Sequence, residues 1–258
     1  MPRKPRIISS TGIYHVILRS INQHIIFEED SDYQKFLFIM SDCKIKFDVD
    51  IYAYCLMDNH IHLLLHSTPD NLPVFFQSLG SRFVYWYNNK YLRYGHLFQD
   101  RYHSIPVEDT SYFLSVMAYI HNNPVRANLC KYPSEYRWSS YNAYLGQKNT
   151  LLDLSYSYDI AGSKDSLLHY FATHNENDSE QDFTGDFPQK NHFLTDDQAL
   201  EIFKLETGLT TTSGTDNLPK SQRNEYIRLC RRKNFTQGQI ARLMGVSEIT
   251  VRRICKSL

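Results

Sequence analysis

His60-Ile61-His62, within Asp58-Asn-His-Ile-His-Leu-Leu-Leu-His66, sets two imidazoles two residues apart at the head of an apolar run. Side chains alternate along a strand, so the two share a face. Neutral imidazole is a good ligand for Mn, Zn, Fe, Cu or Ni. The pair is therefore a ready part of a metal site, although on its own such a pair is more often two half-exposed structural histidines. A second pattern supplies what a working site would need. Over 110–122 the spacing predicts a helix on which Tyr112, Val116, Tyr119 and Asn123 fall at steps of four, three and four. Tyr119 and Asn123 lie one turn apart on one face, so a phenolic and an amide oxygen could both face an ion held by His60 and His62. Such an ion keeps positions open for phosphate oxygens and water, and polarises a phosphodiester that a tyrosine attacks. A tyrosine nucleophile conserves the diester's energy in a phosphotyrosine link, so the strand can be rejoined elsewhere. The ion must offset charge on the phosphoryl oxygens and help activate a phenol whose ordinary pKa is ~10.

These residues need elements to carry them. Residues 12–19 read as a strand. Asp30-Ser31-Asp32 offers caps to a helix bearing Tyr33, Phe36, Leu37, Met40 and Cys43. Residues 51–57 and 60–66 are apolar runs separated by Asp58-Asn59, residue types that tolerate positive φ, which predicts a hairpin. A helix over about 71–90 follows, with Pro73 near its start. A strand candidate at 102–107 leads to the helix of Tyr119, capped by Asp109 or Thr110 and stopped at Asn123-Pro124. Strand, helix, strand, strand, helix, strand is the α+β, ferredoxin-like split βαβ order, an antiparallel sheet with helices on one face. The last helix packs beside the sheet or on its open face.

The whole chain of 258 residues has a formal net charge of zero, but the charge is unevenly placed. From Lys220 to Leu258, ten basic residues face Glu225 and Glu248, 10 − 2 = +8, whereas 174–201 holds eight acidic residues against Lys190. The chain is read as a domain over 1–146, an acidic, partly flexible helical connector over 147–219 with helical pieces near 164–173 and 196–206, and a small all-α module over 220–258. In that module Thr236–Gly245 and Val246–Cys255, an apolar helix, a glycine turn and a Ser-Glu-capped second helix, resemble a helix-turn-helix. Ile240, Leu243, Val246, Val251 and Ile254 would be its core, with Ser247, Thr250, Arg252 and Arg253 toward DNA; a helical interaction module with a solvated basic face is the plainer alternative. Cys43, Cys55, Cys130, Cys230 and Cys255 are scattered, which fits a reducing compartment. No apolar run is long enough to span a membrane. A cytoplasmic protein is expected.

Several blocks then occur in a fixed order: Tyr14-His-Val, His60-Ile-His62, Gly95-His-Leu-Phe-Gln-Asp-Arg-Tyr102, Tyr119-Ile-His-Asn-Asn-Pro-Val-Arg-Ala127 and Trp138-Ser-Ser-Tyr141. Over about residues 8–146 this resembles the REP-associated tyrosine transposases, members of the single-tyrosine HUH transposases. The resemblance implies that His60 and His62 are the metal pair, Tyr119 the nucleophile and Asn123 the third ligand, where related transposases place glutamine. It implies a bacterial enzyme, nucleoid-associated in the cytoplasm, that uses magnesium or manganese. Its substrate would be single-stranded DNA, often an imperfect hairpin from repetitive extragenic palindromes, cut and rejoined through a 5′-phosphotyrosine and a free 3′-hydroxyl. Monomers and homodimers that share the tyrosine helix both occur among such relatives. One departure is Ser20 after Arg19, where relatives usually carry glycine.

Other residues carry two readings each. Arg101 and Arg126 are candidates for phosphate contact or for pairing with acidic neighbours. Arg82, Lys90 and Arg93, among Tyr and Trp, could stack single-stranded bases, or the helix could simply be core. His66, four residues beyond His62 on the same face, is read as structural, and His121 as a surface residue. The competing function is a domesticated, non-cleaving DNA-binding regulator that acts through the C-terminal module.

Overall fold

Ile13–Arg19, rich in β-branched and aromatic residues, forms β1 in a computed structural model that describes residues 6–174, 196–209, 218–233 and 235–255. Helix α1, Asp30–Lys46, is capped reciprocally by the Glu29 and Asp32 side chains. The buried Asp32 carboxylate also takes Lys90 at 2.6 Å. Strands β2, Asp50–Leu56, and β3, His60–His66, form the expected hairpin, with the Met57 N–H donating to the His60 carbonyl at 2.9 Å. Neither Asp58 nor Asn59 adopts positive φ. Their carbonyls instead accept from outside the hairpin, Asp58 from Ile26 N–H at 2.6 Å and Asn59 from Ser20 N–H at 2.9 Å. Helix α2, Asn71–Lys90, buries Leu72, Phe75, Phe76, Leu79, Phe83 and Tyr87, each worth about 1.5–3 kcal/mol. Its cations favour the core reading: Lys90 pairs with Glu29 and Asp32, and Arg82 with Asp42.

Strand β4, His103–Pro106, completes an antiparallel sheet in the order β2-β3-β1-β4. This is the ferredoxin-like arrangement that the element order predicts. Tyr14, Val16 and Leu18 face one side of β1, with α2 and its neighbour α1 against it. The opposite side, that of His15, receives α3, Thr110–Arg126, which packs on β2 and β3. Both faces are thus covered, which is why β2 and β3 are nearly continuous buried runs. Asp109 caps α3 by accepting the Tyr112 N–H at 2.7 Å. The helix does not stop before Asn123-Pro124 but runs to Arg126. A proline one turn from the end removes a single backbone bond there, a loss that the buried packing of residues 116–124 offsets.

A short α4, Tyr141–Tyr144, precedes α5, Leu154–Ala161, and α6, Lys164–Thr173. Leu151, Leu152, Leu167 and Phe171 belong to the same core as the sheet. Contacts divide the chain into residues 1–188 and 189–258, so the helices expected in a connector are shared between the two units. The polar tracts at 175–180 and 210–217 lie outside the described residues. The second unit holds α7, Asp196–Thr207; α8, Lys220–Arg232; α9, Gln237–Met244; and α10, Glu248–Cys255. Ala199, Phe203, Ile227, Cys230, Phe235, Ile240, Met244 and Val251 are its core, while Leu243, Val246 and Ile254 are partly buried against them. Thr236 and Gln239 cap α9 reciprocally, and Gly245 at φ 61° ends it. None of the five cysteines is in a disulfide. Among the described residues no helix is long and apolar enough to cross a membrane.

Candidate active site

The register of β1 on β3 sets Ile17 opposite His62, Arg19 opposite His60 and His15 opposite Leu64. Facing residues of an antiparallel pair point the same way, so His15, Arg19, His60 and His62 share the face beneath α3. His15 Nε2 lies 3.0 Å from His62 Nδ1. The His60 and His62 ring centroids are 5.0 Å apart. Both His15 and His62 are fully buried. Burial pushes His62 well below the ordinary imidazole range, reinforced by His60, His15 and Arg19, and brings His15 down to about 3, with His103 adding to it. Both rings are neutral at physiological pH and keep a lone pair.

Helix α3 delivers Tyr119 to this face. Its ring stands edge-on to both imidazoles, 5.5 Å from His62 and 6.0 Å from His15 between centroids. Arg126, seven residues on, lies with its guanidinium 5.2 Å from the Tyr119 ring centroid. Asn123 is fully buried one turn beyond Tyr119, and its amide nitrogen donates to the Tyr119 carbonyl at 3.2 Å.

The donor set fits a divalent ion at the histidine pair. His60 Nδ1 lies 2.6 Å from Asn59 Oδ1; an amide oxygen only accepts, so His60 carries its proton on Nδ1 and a lone pair on Nε2. His62 Nε2 is buried with no hydrogen-bond partner, the state of a nitrogen kept for a ligand. Among the described residues no group of three or more His, Cys, Asp or Glu side chains is placed to hold a metal.

The remaining sequence candidates lie elsewhere. Arg101 is exposed and lines a cleft of about 290 Å³ with Arg6, Tyr14, Tyr102 and Ser104. Ser104 pairs with Val16, so this cleft is on the side of the sheet away from the imidazoles. Ser247 is exposed at the start of α10, where its hydroxyl accepts the Thr250 N–H at 3.3 Å and meets the Thr250 hydroxyl at 3.0 Å. Arg252 and Arg253 are exposed on α10. His66 pairs with Asp50 at 3.7 Å, away from the pair. His121 is a correction: it is buried, not a surface residue, with Nε2 2.9 Å from Ser140 Oγ. The cause is the packing of Ser140, Tyr141 and Tyr144, with Phe171 of α6, around it on the far side of α3. Sequence reasoning passed over three neighbours of the pair: His15, Arg19 and Asn59. Tyr14-His-Val was visible as a motif, yet alternation within one strand says nothing of register with another.

Residues 9–123 match the model of the IS200-like transposase family. No curated protein matches the sequence. Among solved structures, a REP-associated tyrosine transposase bound to a REP hairpin is 16% identical, with a TM-score of 0.50 over 60% of this chain and 96% of that one. That likeness shows the fold. A transposase structure from Deinococcus radiodurans R1 is 20% identical over 47% of this chain and 97% of its own, but its TM-score of 0.33 is too low to carry an argument.

Proposed function

We propose, from the premise that residues 9–123 belong to the IS200-like transposase family, that this chain cleaves and rejoins single-stranded or hairpin DNA, with Tyr119 as nucleophile. The observation that carries the reading is the Tyr119 ring, held 5.5 Å from the His62 ring within one chain. The solved relative bound to a REP hairpin supports a palindromic hairpin as the substrate class. The phenolic oxygen of Tyr119 gives up its proton and bonds to phosphorus, the P–O3′ bond breaks, and the leaving 3′-oxygen takes up a proton, so none is gained or lost overall. A 5′-phosphotyrosine remains, and attack by another 3′-hydroxyl reverses the step. His60 and His62, with Asn123 as the candidate third ligand, would hold Mg²⁺ or Mn²⁺, which when bound supplies Lewis-acid stabilisation of the phosphoryl oxygens. Burial keeps His62 neutral for that task. Arg126 sets a positive charge beside the tyrosine ring, where the phosphate must arrive.

The C-terminal helices are proposed as a helix-turn-helix that adds duplex contacts through Ser247, Thr250, Arg252 and Arg253. The +8 balance of residues 220–258 and the exposure of both arginines on α10 support it. The test is a denaturing gel with end-labelled hairpin DNA and Mn²⁺. A covalent protein–DNA adduct should form, and Tyr119→Phe should abolish it while hairpin binding persists. An adduct in the Phe variant would remove Tyr119 from the role, and tight binding without any cutting by the wild type would favour a non-cleaving regulator.

A further inference from the structure

We propose that His15 is a positioning residue for metal binding: it holds the proton of His62 on Nδ1 and so presents the His62 Nε2 lone pair to the ion. This rests on the reading of His60 and His62 as metal ligands and adds to it a residue that touches neither metal nor substrate. The His15 and His62 rings are 20° from coplanar, with centroids 5.3 Å apart and the facing nitrogens at 3.0 Å. They meet edge to edge, the geometry of an in-plane N–H···N hydrogen bond.

Two neutral imidazoles have one proton to place in that gap, and only two arrangements are possible. If His62 donates, its Nε2 carries the lone pair and the His15 Nδ1–H points away from the pair. If His15 donates, His62 carries its proton on Nε2 and cannot ligate through it. The two outer nitrogens, His15 Nδ1 and His62 Nε2, are both buried without a hydrogen-bond partner. Either arrangement leaves both outer nitrogens unsatisfied, one as a donor and the other as an acceptor, so the hydrogen bonds of the protein alone do not choose. A cation at His62 Nε2 does choose, and it requires His15 Nε2 as acceptor. His60 has the equivalent support from Asn59 Oδ1 at 2.6 Å. Each imidazole of the pair therefore has its own orienting acceptor, one an amide oxygen and the other a second imidazole. A histidine present only for packing would not place its acceptor nitrogen in the plane of a neighbour's ring and leave its other nitrogen unpaired in the core.

The experiment measures Mn²⁺ affinity of the full chain by calorimetry, for wild type, His62→Ala, His15→Leu and His15→Gln, with melting temperature in EDTA as the control for folding. Wild-type binding should depend on His62. His15→Leu should weaken it about 10–100-fold, and His15→Gln, whose side-chain oxygen can accept from His62 Nδ1–H, should recover most of the loss. A folded Leu variant with wild-type affinity, or a folded Gln variant no better than Leu, overturns the proposal. If the Leu variant does not fold, His15→Asn replaces it, an amide too short to reach; equal affinity for Asn and Gln is then the overturning result. Wild-type binding that is absent, or that survives His62→Ala, refutes the metal reading itself and takes this proposal with it.

Discussion

Replacing His121 with Phe removes a buried titratable ring from the side of α3 opposite Tyr119. His121 sits among the rings of Tyr141, Tyr144 and Phe171, and burial brings it down to about 3 from an ordinary 6.5. Below pH 6.5 the unfolded chain binds a proton that the folded chain refuses. The stabilising difference is therefore fully present above pH 6.5 and falls away as pH drops toward 3. At about 1.36 kcal/mol per pH unit, His121 costs the fold about 2 kcal/mol at pH 5. His15, also brought down to about 3, costs a similar ~2 kcal/mol, and His62 acts in the same direction. Phe at 121 should cost about 1 kcal/mol or less at pH 7. Ser140 Oγ, which loses the histidine, keeps the Tyr54 N–H at 2.9 Å and the Tyr54 carbonyl at 3.1 Å, and the unpartnered His121 Nδ1 disappears. Relative to wild type, the variant should therefore gain about 2 kcal/mol on going from pH 7 to pH 5. Urea unfolding in EDTA at the two pH values measures this. The only tryptophans, Trp86 and Trp138, both pack on the sheet's core, so their fluorescence follows the first unit alone. A variant whose stability falls with pH as steeply as wild type would show that His121 is not held neutral by burial, and the reasoning would fail.

Arg126→Ala removes the guanidinium over the Tyr119 ring; an exposed contact of about 0.5–1 kcal/mol should slow adduct formation about 2–5-fold and leave Mn²⁺ affinity unchanged. An unchanged single-turnover rate would make the contact incidental. The Arg252→Ala, Arg253→Ala double variant should reduce the slope of log affinity against log salt for duplex DNA by about 2, with hairpin cleavage intact. An unaltered slope would take α10 off the DNA-binding surface, and loss of all DNA binding would point to the regulator instead.

The parts of the fold that were legible are those written in local periodicity. The order of strands and helices over 12–126 follows from alternation, caps and the Asp58-Asn59 break, and the ferredoxin-like topology follows from that order because few arrangements satisfy it. Where local rules misled, a distant segment had changed the balance. Asp58 and Asn59 needed no positive φ because Ile26 and Ser20 bind their carbonyls. The α3 helix passes through Pro124 because its last turn is buried. His121 looks polar and surface-bound until α4 and α6, from beyond residue 140, cover it.

The same distinction runs through the candidate site. His60 with His62, and Tyr119 with Asn123, are each related by the period of a single element, so either pair can be read from a short stretch of chain. His15 and Asn59 answer a different question, which nitrogen of each imidazole bears the proton. For His60 the answer sits one residue away. For His62 it lies 47 residues back, on a strand whose pairing sets Ile17 opposite His62. A slip of one residue in that pairing would turn His15 to the other face and leave His62 without its partner. No periodicity in β1 records the choice of register; it is made by the burial of Tyr14, Val16 and Leu18 on one side and by the fit of α3 on the other. A residue that orients a ligand is thus specified by the packing of the whole sheet, and this is why ligands are easier to find in a sequence than the groups that make them ligate.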